Sequence, residues 1–158
     1  MQTIFNLRPF QPADLDKVIR INQTCLPENY SPDFFIDLYD RFPATFIVAE
    51  EDGKMVGYMM CRIENNLLGF ASGNIRKGHV ISIAVLPEHQ HQGIGEALMQ
   101  EALNNMKELY KAKECYLEVR VSNIPAITLY KKLGFIPKRT LHSYYADNES
   151  AYLMTKKL

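Results

Sequence analysis

The sequence predicts a mixed α/β domain built on one sheet, and three of its features say so. Two apolar runs flank Asp52-Gly53, the signature of a tight antiparallel hairpin. The run His79 to Val85 leads through a glycine-bearing turn into a helical apolar pattern and then into Tyr116 to Val121, a strand-helix-strand unit. At 158 residues, 47% of them hydrophobic and 23% charged, the chain suits one buried core, so residues 1–158 are read as a single domain.

Each element follows from local pattern. Ile4, Phe5 and Leu7 give a short apolar start. Pro12 opens a helix on which Leu15, Val18, Ile19, Asn22 and Cys25 recur at helical spacing, with Asp14 and Asp16 in the first turn. Leu26-Pro27-Glu28-Asn29-Tyr30 interrupts it, and Ser31-Pro32-Asp33 starts a second helix presenting Phe34, Phe35, Leu38 and Tyr39. Phe46 to Ala49 and Met55 to Met60 are the hairpin strands, and Glu64 to Gly78 reads as a connection. His79 to Val85 is almost continuously apolar and is expected at the centre of the sheet, buried on both faces. From Ile94, the residues Leu98, Met99, Ala102, Met106 and Leu109 mark one helix face. Pro125 to Leu133 is a short helix stopped by Gly134, and strands around Phe135-Ile136 and Ala151 to Met154 follow. That makes about seven strands and about four helices.

Composition excludes several classes of function. Formal charge is zero and the Lys and Arg residues are scattered, so no basic footprint for nucleic acid or anionic membrane is expected. A small molecule or a peptide is the expected partner. Cys25, Cys61 and Cys115 are odd in number and lack Cys-x-x-Cys spacing, as in a reduced cytoplasmic protein. His79, His89, His91 and His142 show no metal-ligand spacing, and no metal is expected. Met1 to Phe10 hold no apolar run of signal-peptide length, and no segment is apolar for long enough to cross a bilayer.

The exit from the central strand is the most informative segment. Gln90-His91-Gln92-Gly93-Ile94-Gly95 runs directly into a helix. A phosphate approaches a helix N-terminus closely only where no Cβ intervenes, and there it meets unpaired N–H groups and the positive end of the helix dipole. Glu96 and Ala97 stand where a P-loop needs Lys and Ser or Thr, and Leu98 stands at the third glycine of a dinucleotide fingerprint. An anion cradle and an ordinary Gly-rich turn both remain open on this segment alone.

The segment resembles the acetyl-CoA loop of the GNAT family of N-acetyltransferases, Gln/Arg-x-x-Gly-x-Gly/Ala, filled here by Gln90, Gly93 and Gly95. Leu117-Glu118-Val119-Arg120-Val121-Ser122-Asn123 through Leu129-Tyr130 and Leu133-Gly134-Phe135 resemble the family's second signature. The segments Leu26 to Tyr30 and Tyr144-Tyr145-Ala146-Asp147 are similar to the catalytic subunits of the N-terminal acetyltransferase A complex and their archaeal counterparts, and less so to the ribosomal-protein alanine acetyltransferases. The resemblance implies a mixed, mostly antiparallel sheet and acetyl-CoA as co-substrate. It implies a cofactor site of Ile83, Ala84, Val85, Gln90, His91, Gln92, Gly93, Ile94, Gly95, Asn123 and Tyr130. His91 and Gln92 stand where many relatives carry arginines. Protein or peptide N-termini, nascent chains and ribosomal proteins among them, are the implied acceptors, with the enzyme a monomer or weak homodimer.

Acetyl transfer needs a neutral amine, a stabilised oxyanion and a proton for the departing thiolate. A peptide α-amine has a pKa near about 8 and a lysine side chain one above about 10, so a weak base suffices for the former. The family match assigns Glu118 first and Glu28 beside it as base or as anchor of the cationic N-terminus, and Tyr130 as the acid. From the residues alone, Glu118 could equally pair with Arg120 or a lysine, Tyr130 could pack in the core, and Asn123 could cap the helix that follows it. Tyr30, Tyr144 and Tyr145 are the aromatic candidates for the acceptor groove. No cysteine has a neighbouring base signature, so direct attack in a ternary complex is expected. A small-amine acetyltransferase and a non-catalytic acyl-CoA-binding module are the competing readings.

Overall fold

A computed structural model of the chain describes residues 4–66 and 75–158. In chain order the elements are β1 (Phe5–Pro9), α1 (Leu15–Cys25), α2 (Pro32–Arg41), β2 (Phe46–Glu51), β3 (Lys54–Asn66) and β4 (Ile75–Val85), followed by α3 (Ile94–Glu108), β5 (Glu114–Arg120), α4 (Ile124–Lys132), β6 (Ile136–Leu141) and β7 (Ala151–Lys157). The strands form one seven-stranded sheet in the order β1-β2-β3-β4-β5-β7-β6, antiparallel except where β4 meets β5. Among the described residues no helix is long and apolar enough to cross a membrane.

Local chemistry explains the element ends. Asp52 and Gly53 both take positive φ, 51° and 74°, as the two-residue hairpin turn between β2 and β3 requires. Ser31 caps α2 by accepting from the Phe34 N–H, and Pro32 occupies the first helical position. Gly134, at φ 97°, ends the last turn of α4.

Three expectations need correction. The connection expected over Glu64 to Gly78 is strand at both ends, because β3 and β4 pair as far as Asn66↔Ile75; residues 67–74 lie outside the described residues. The hydropathy pattern misses this extension because its rungs are polar, such as Arg62↔His79 and Glu64↔Lys77. Leu109, expected on the buried face of α3, is its C-cap and 61% exposed. Within β4, Ile81, Ile83 and Val85 are only half-buried, because the sheet opens beside them.

Two apolar layers sandwich the sheet. Leu98, Met99, Ala102 and Met106 of α3 and Ile127 and Tyr130 of α4 pack with Met59, Cys61, Leu117 and Val119 on one face. On the other, Val18 and Ile21 of α1 and Phe35 and Leu38 of α2 cover Val48, Tyr58, Met60 and Ala84. Helices on both faces leave the strand ends to build the site.

The feature that positions the site is a break in the sheet. Met60 pairs with Ser82 and Cys61 with Val80, which leaves Ile81 as an extra residue in β4. The parallel ladder to β5 ends immediately before it, at His79↔Tyr116. Beyond that point β4 and β5 diverge.

The start of α1 is tied to the sheet by a bidentate ion pair. Arg8 donates to both Asp14 oxygens at 2.8 Å and to Glu50 at 2.8 Å, and the Gln11 N–H donates to Asp14 at 2.8 Å. The Arg8 guanidinium outweighs burial and holds the Asp14 carboxyl below its ordinary 3.8. A depressed carboxylate contributes stability that is complete above the unfolded-state value and lost as pH falls through the folded one. Asp14→Asn is therefore expected to cost about 1–3 kcal/mol at neutral pH, and the difference from wild type to shrink as pH falls below the ordinary 3.8 of the carboxyl and through its lowered folded-state value. Urea denaturation at neutral pH and through that acid range measures both.

Candidate active site

Where β4 and β5 part, two contiguous clefts of about 520 and 500 Å³ open, sharing Cys25, Leu26, Ile83, Asn123 and Tyr130. The first reaches the N-terminus of α3. Ile83, Ala84, Val85, Gln90, His91, Gly93, Ile94, Gly95, Asn123 and Tyr130 line it, whereas Gln92 is exposed and does not. Gly93 is the N-cap of α3 with φ 84°, a conformation that favours glycine, and the first residues of the helix, Ile94 to Glu96, line the cleft. The Gln90 amide donates to the Val85 carbonyl at 2.9 Å, folding the loop back on the strand. Asn123 caps α4, its Oδ1 accepting from the Ala126 N–H at 3.3 Å, and the residue lines both clefts.

Tyr130 sits where the clefts meet and is 7% exposed. Its ring tilts against Phe135 with centroids 5.9 Å apart, so it is also part of the core. Burial pushes its pKa up to about 12, which keeps the hydroxyl protonated.

Glu118 lines the second cleft, half-way along the polar face of β5. Its partner is neither Arg120 nor a lysine but His79, whose Nε2 lies 2.8 and 3.0 Å from the two carboxylate oxygens. The His79 Nδ1 lies 2.9 Å from Glu64, and the ring stacks on Tyr116 with centroids 4.1 Å apart. Glu64 also accepts from Arg62 at 2.6 Å and from the Tyr116 hydroxyl. Burial raises the Glu64 pKa, but the hydrogen bonds from Tyr116, Arg62 and His79 outweigh it and leave the group below its ordinary 4.5. Glu118 is thereby backed by an imidazole whose other nitrogen rests on a carboxylate held in its charged form.

Across the second cleft, Arg120 binds both walls. Its guanidinium donates to Glu28 at 2.5 Å from one side and to Asp147 and Glu149 at 2.9 Å from the other, and it lies 4.0 Å over the Tyr145 ring. Its Nε is buried and has no hydrogen-bond partner among the described residues. Glu28 is therefore held in an ion pair in the loop between α1 and α2. Behind it, Asn22 donates to the Glu28 carbonyl at 3.1 Å and contacts the Tyr58 hydroxyl at 3.0 Å, which in turn meets Ser82 at 2.6 Å. Tyr30 stacks on Phe34, 4.9 Å between centroids, and donates to the Ile81 carbonyl at 3.3 Å. Tyr144, 49% exposed, stands edge-on to Tyr145. Tyr30, Tyr144 and Tyr145 all line this cleft with Glu28 and Glu118.

His79, Glu64 and Arg120 were not singled out as site residues by the sequence. The alternation of Tyr116, Glu118 and Arg120 with buried Cys115, Leu117 and Val119 does signal one polar strand face. Nothing local says which strand lies beside that face. Among the described residues no group of three or more His, Cys, Asp or Glu is placed to hold a metal.

Arg120→Lys keeps the charge but lacks the planar fork that holds three carboxylates. We expect a loss of about 1–3 kcal/mol in denaturant unfolding, with acetyl-CoA affinity changed less than about twofold in calorimetry, because the residue touches only the second cleft.

A family model described as the acetyltransferase (GNAT) family matches residues 15–135. An N-alpha-acetyltransferase of Sulfurisphaera tokodaii is 50% identical over 98% of this chain and 93% of that protein. Among solved structures, Ard1 from Thermoplasma volcanium superposes with a TM-score of 0.85 at 31% identity, over 98% of this chain and 97% of that one. Chaetomium thermophilum Naa20 in complex with a bisubstrate analogue gives 0.84 at 30% identity, over 97% and 86%.

Proposed function

The chain belongs to the acetyltransferase (GNAT) family, and we propose that it transfers acetyl from acetyl-CoA to the α-amine of protein N-termini by direct attack in a ternary complex. One observation carries the proposal: two clefts, one ending at a helix N-terminus and one walled by tyrosines and carboxylates, meet at Tyr130 beside the broken edge of β4. A thioester from one side and an amine from the other come together only there. The similarity to the Sulfurisphaera N-alpha-acetyltransferase over almost the whole chain supports the α-amine as acceptor. So does the likeness to Naa20, whose bisubstrate analogue names two substrates held at once.

In the proposed mechanism the unpaired edge of β4 at Ile83 and Val85 takes the pantetheine as a further strand would, and the α3 N-terminus takes the pyrophosphate. A Val85 N–H is the candidate oxyanion donor. Glu118, oriented by His79, accepts the proton that the amine loses on attack, directly or through one water. An α-amine with a pKa near about 8 is partly neutral at physiological pH, so a carboxylate base is sufficient. Glu28, already paired with Arg120, shapes the cleft and orients the cationic N-terminus. Tyr130, with its pKa raised to about 12, acts as a hydrogen-bond donor to the departing thiolate more than as a full acid. We assign these roles to residues 1–158 working as one domain in the cytoplasm, as a monomer or weak homodimer, on nascent chains and ribosomal proteins.

A panel of peptides beginning Met, Ser, Ala, Thr, Glu or Asp, run beside spermidine, tests the acceptor. Mass spectrometry is expected to find acetyl on the peptide α-amine. Faster turnover of spermidine than of every peptide would sink the reading. Glu118→Gln is expected to lower kcat by about 10²- to 10³-fold with a small change in KM, and Tyr130→Phe by about tenfold or more. A triple replacement of Glu118, Glu28 and Tyr130 that turns over like wild type would remove all three from the mechanism.

A further inference from the structure

We infer that Lys138 and Arg139 form a subsite for acidic side chains a few residues downstream of the acetylated N-terminus. The inference rests on the reading of the acceptor as a polypeptide and extends it to specificity beyond the first residues.

A third cleft, about 280 Å³ in volume, lies on the polar face of β5, β7 and β6 and shares Glu118 with the acceptor cleft. Consecutive residues of a regular strand point to opposite faces, so two neighbours do not ordinarily line one cleft. Here they do. Pro137 pairs with Met154 and Arg139 with Leu153, leaving Lys138 as an extra residue, and both Lys138 and Arg139 line the cleft. A bulge re-aims a side chain in this way.

The cleft also holds acidic groups, but each is already engaged. Glu114 faces Lys77 at 3.6 Å, Glu64 is taken by Arg62, His79 and Tyr116, and Glu118 by His79. Lys138 and Arg139 are exposed and make no salt bridge among the described residues. With Arg62 counted beside the lining, Arg62, Lys77, Lys138 and Arg139 stand against Glu64, Glu114 and Glu118, which leaves positive charge in excess at Lys138 and Arg139, and an acidic side chain is its complement.

Register gives the distance. Glu118 faces Leu153 in β7, and Leu153 faces Arg139 in β6. Two strand spacings are about 10 Å, the span of about three extended residues. With its α-amine at Glu118, an acceptor chain crossing this face presents its third or fourth side chain to Arg139 and Lys138. The helices α1 and α2 pack over β2, β3 and β4 on this side, and the acceptor cleft adjoins this one at Glu118.

The test uses peptides identical in their first two residues, with Glu, Gln or Lys at positions three and four, and compares kcat/KM for wild type and for the Lys138→Glu/Arg139→Glu double variant. Wild type is expected to prefer the Glu peptide over the Lys peptide by about three- to tenfold, less at high salt, and the double variant to reverse that order. Turnover of the Gln peptide is expected to change by less than about twofold, since both residues are exposed and away from the reacting atoms. Turnover without any charge preference, or a preference that the double variant leaves unchanged, overturns the subsite alone. Failure to acetylate every peptide overturns the acceptor reading and the subsite with it. If an unstructured RNA oligonucleotide inhibits Gln-peptide acetylation by wild type but not by the double variant, while peptide charge has no effect, the patch serves phosphates and the inference is wrong.

Discussion

Everything that makes this sheet a site follows from the loss of pairing between β4 and β5 after His79↔Tyr116. A parallel ladder continued to Val85 and Arg120 would satisfy the backbone and leave nowhere for a thioester. The extra residue at Ile81 prevents that continuation by bending β4 against its well-paired neighbour β3. Main-chain groups left without a strand partner are costly when buried and inviting when accessible. Side chains already answer two of them, with Tyr30 on the Ile81 carbonyl and Gln90 on that of Val85.

The opening also explains the layering of the polar residues. Buried carboxylates and imidazoles persist only when paired, and along β5 each has a partner on another strand or loop. Glu118 leans on β4 through His79, and Arg120 reaches both flanking loops. The candidate base and the residue that shapes the cleft therefore belong to two networks, meeting only through their common strand.

Much of the fold was legible because short-range rules governed it. Asp52-Gly53, Ser31-Pro32 and Gly134 each specify a backbone conformation that the chain adopts. The glycine turn into α3 and the lining of the first cleft by Gly93 and Tyr130 followed from motifs whose spacing binds residues to one helix or strand. What escaped was set by register. His79 stands apart from the other histidines along the sequence and becomes the partner of Glu118 only because β4 lies next to β5. The polar extensions of β3 and β4 imitate a loop, since their stability comes from cross-strand pairs that hydropathy does not record. The bulge at Ile81 has no glycine or proline to announce it, and Pro137 beside Lys138 fits a plain edge strand as well as a bulge.

The sharing of Arg120 has a further meaning. One cation serves Glu28 in one loop and Asp147 and Glu149 in another, so neither wall of the acceptor cleft relaxes without altering the electrostatics of the other. Arg120 therefore works as a clasp: the loop between α1 and α2 and the segment between β6 and β7 are fastened to β5, and through it to each other, by one guanidinium.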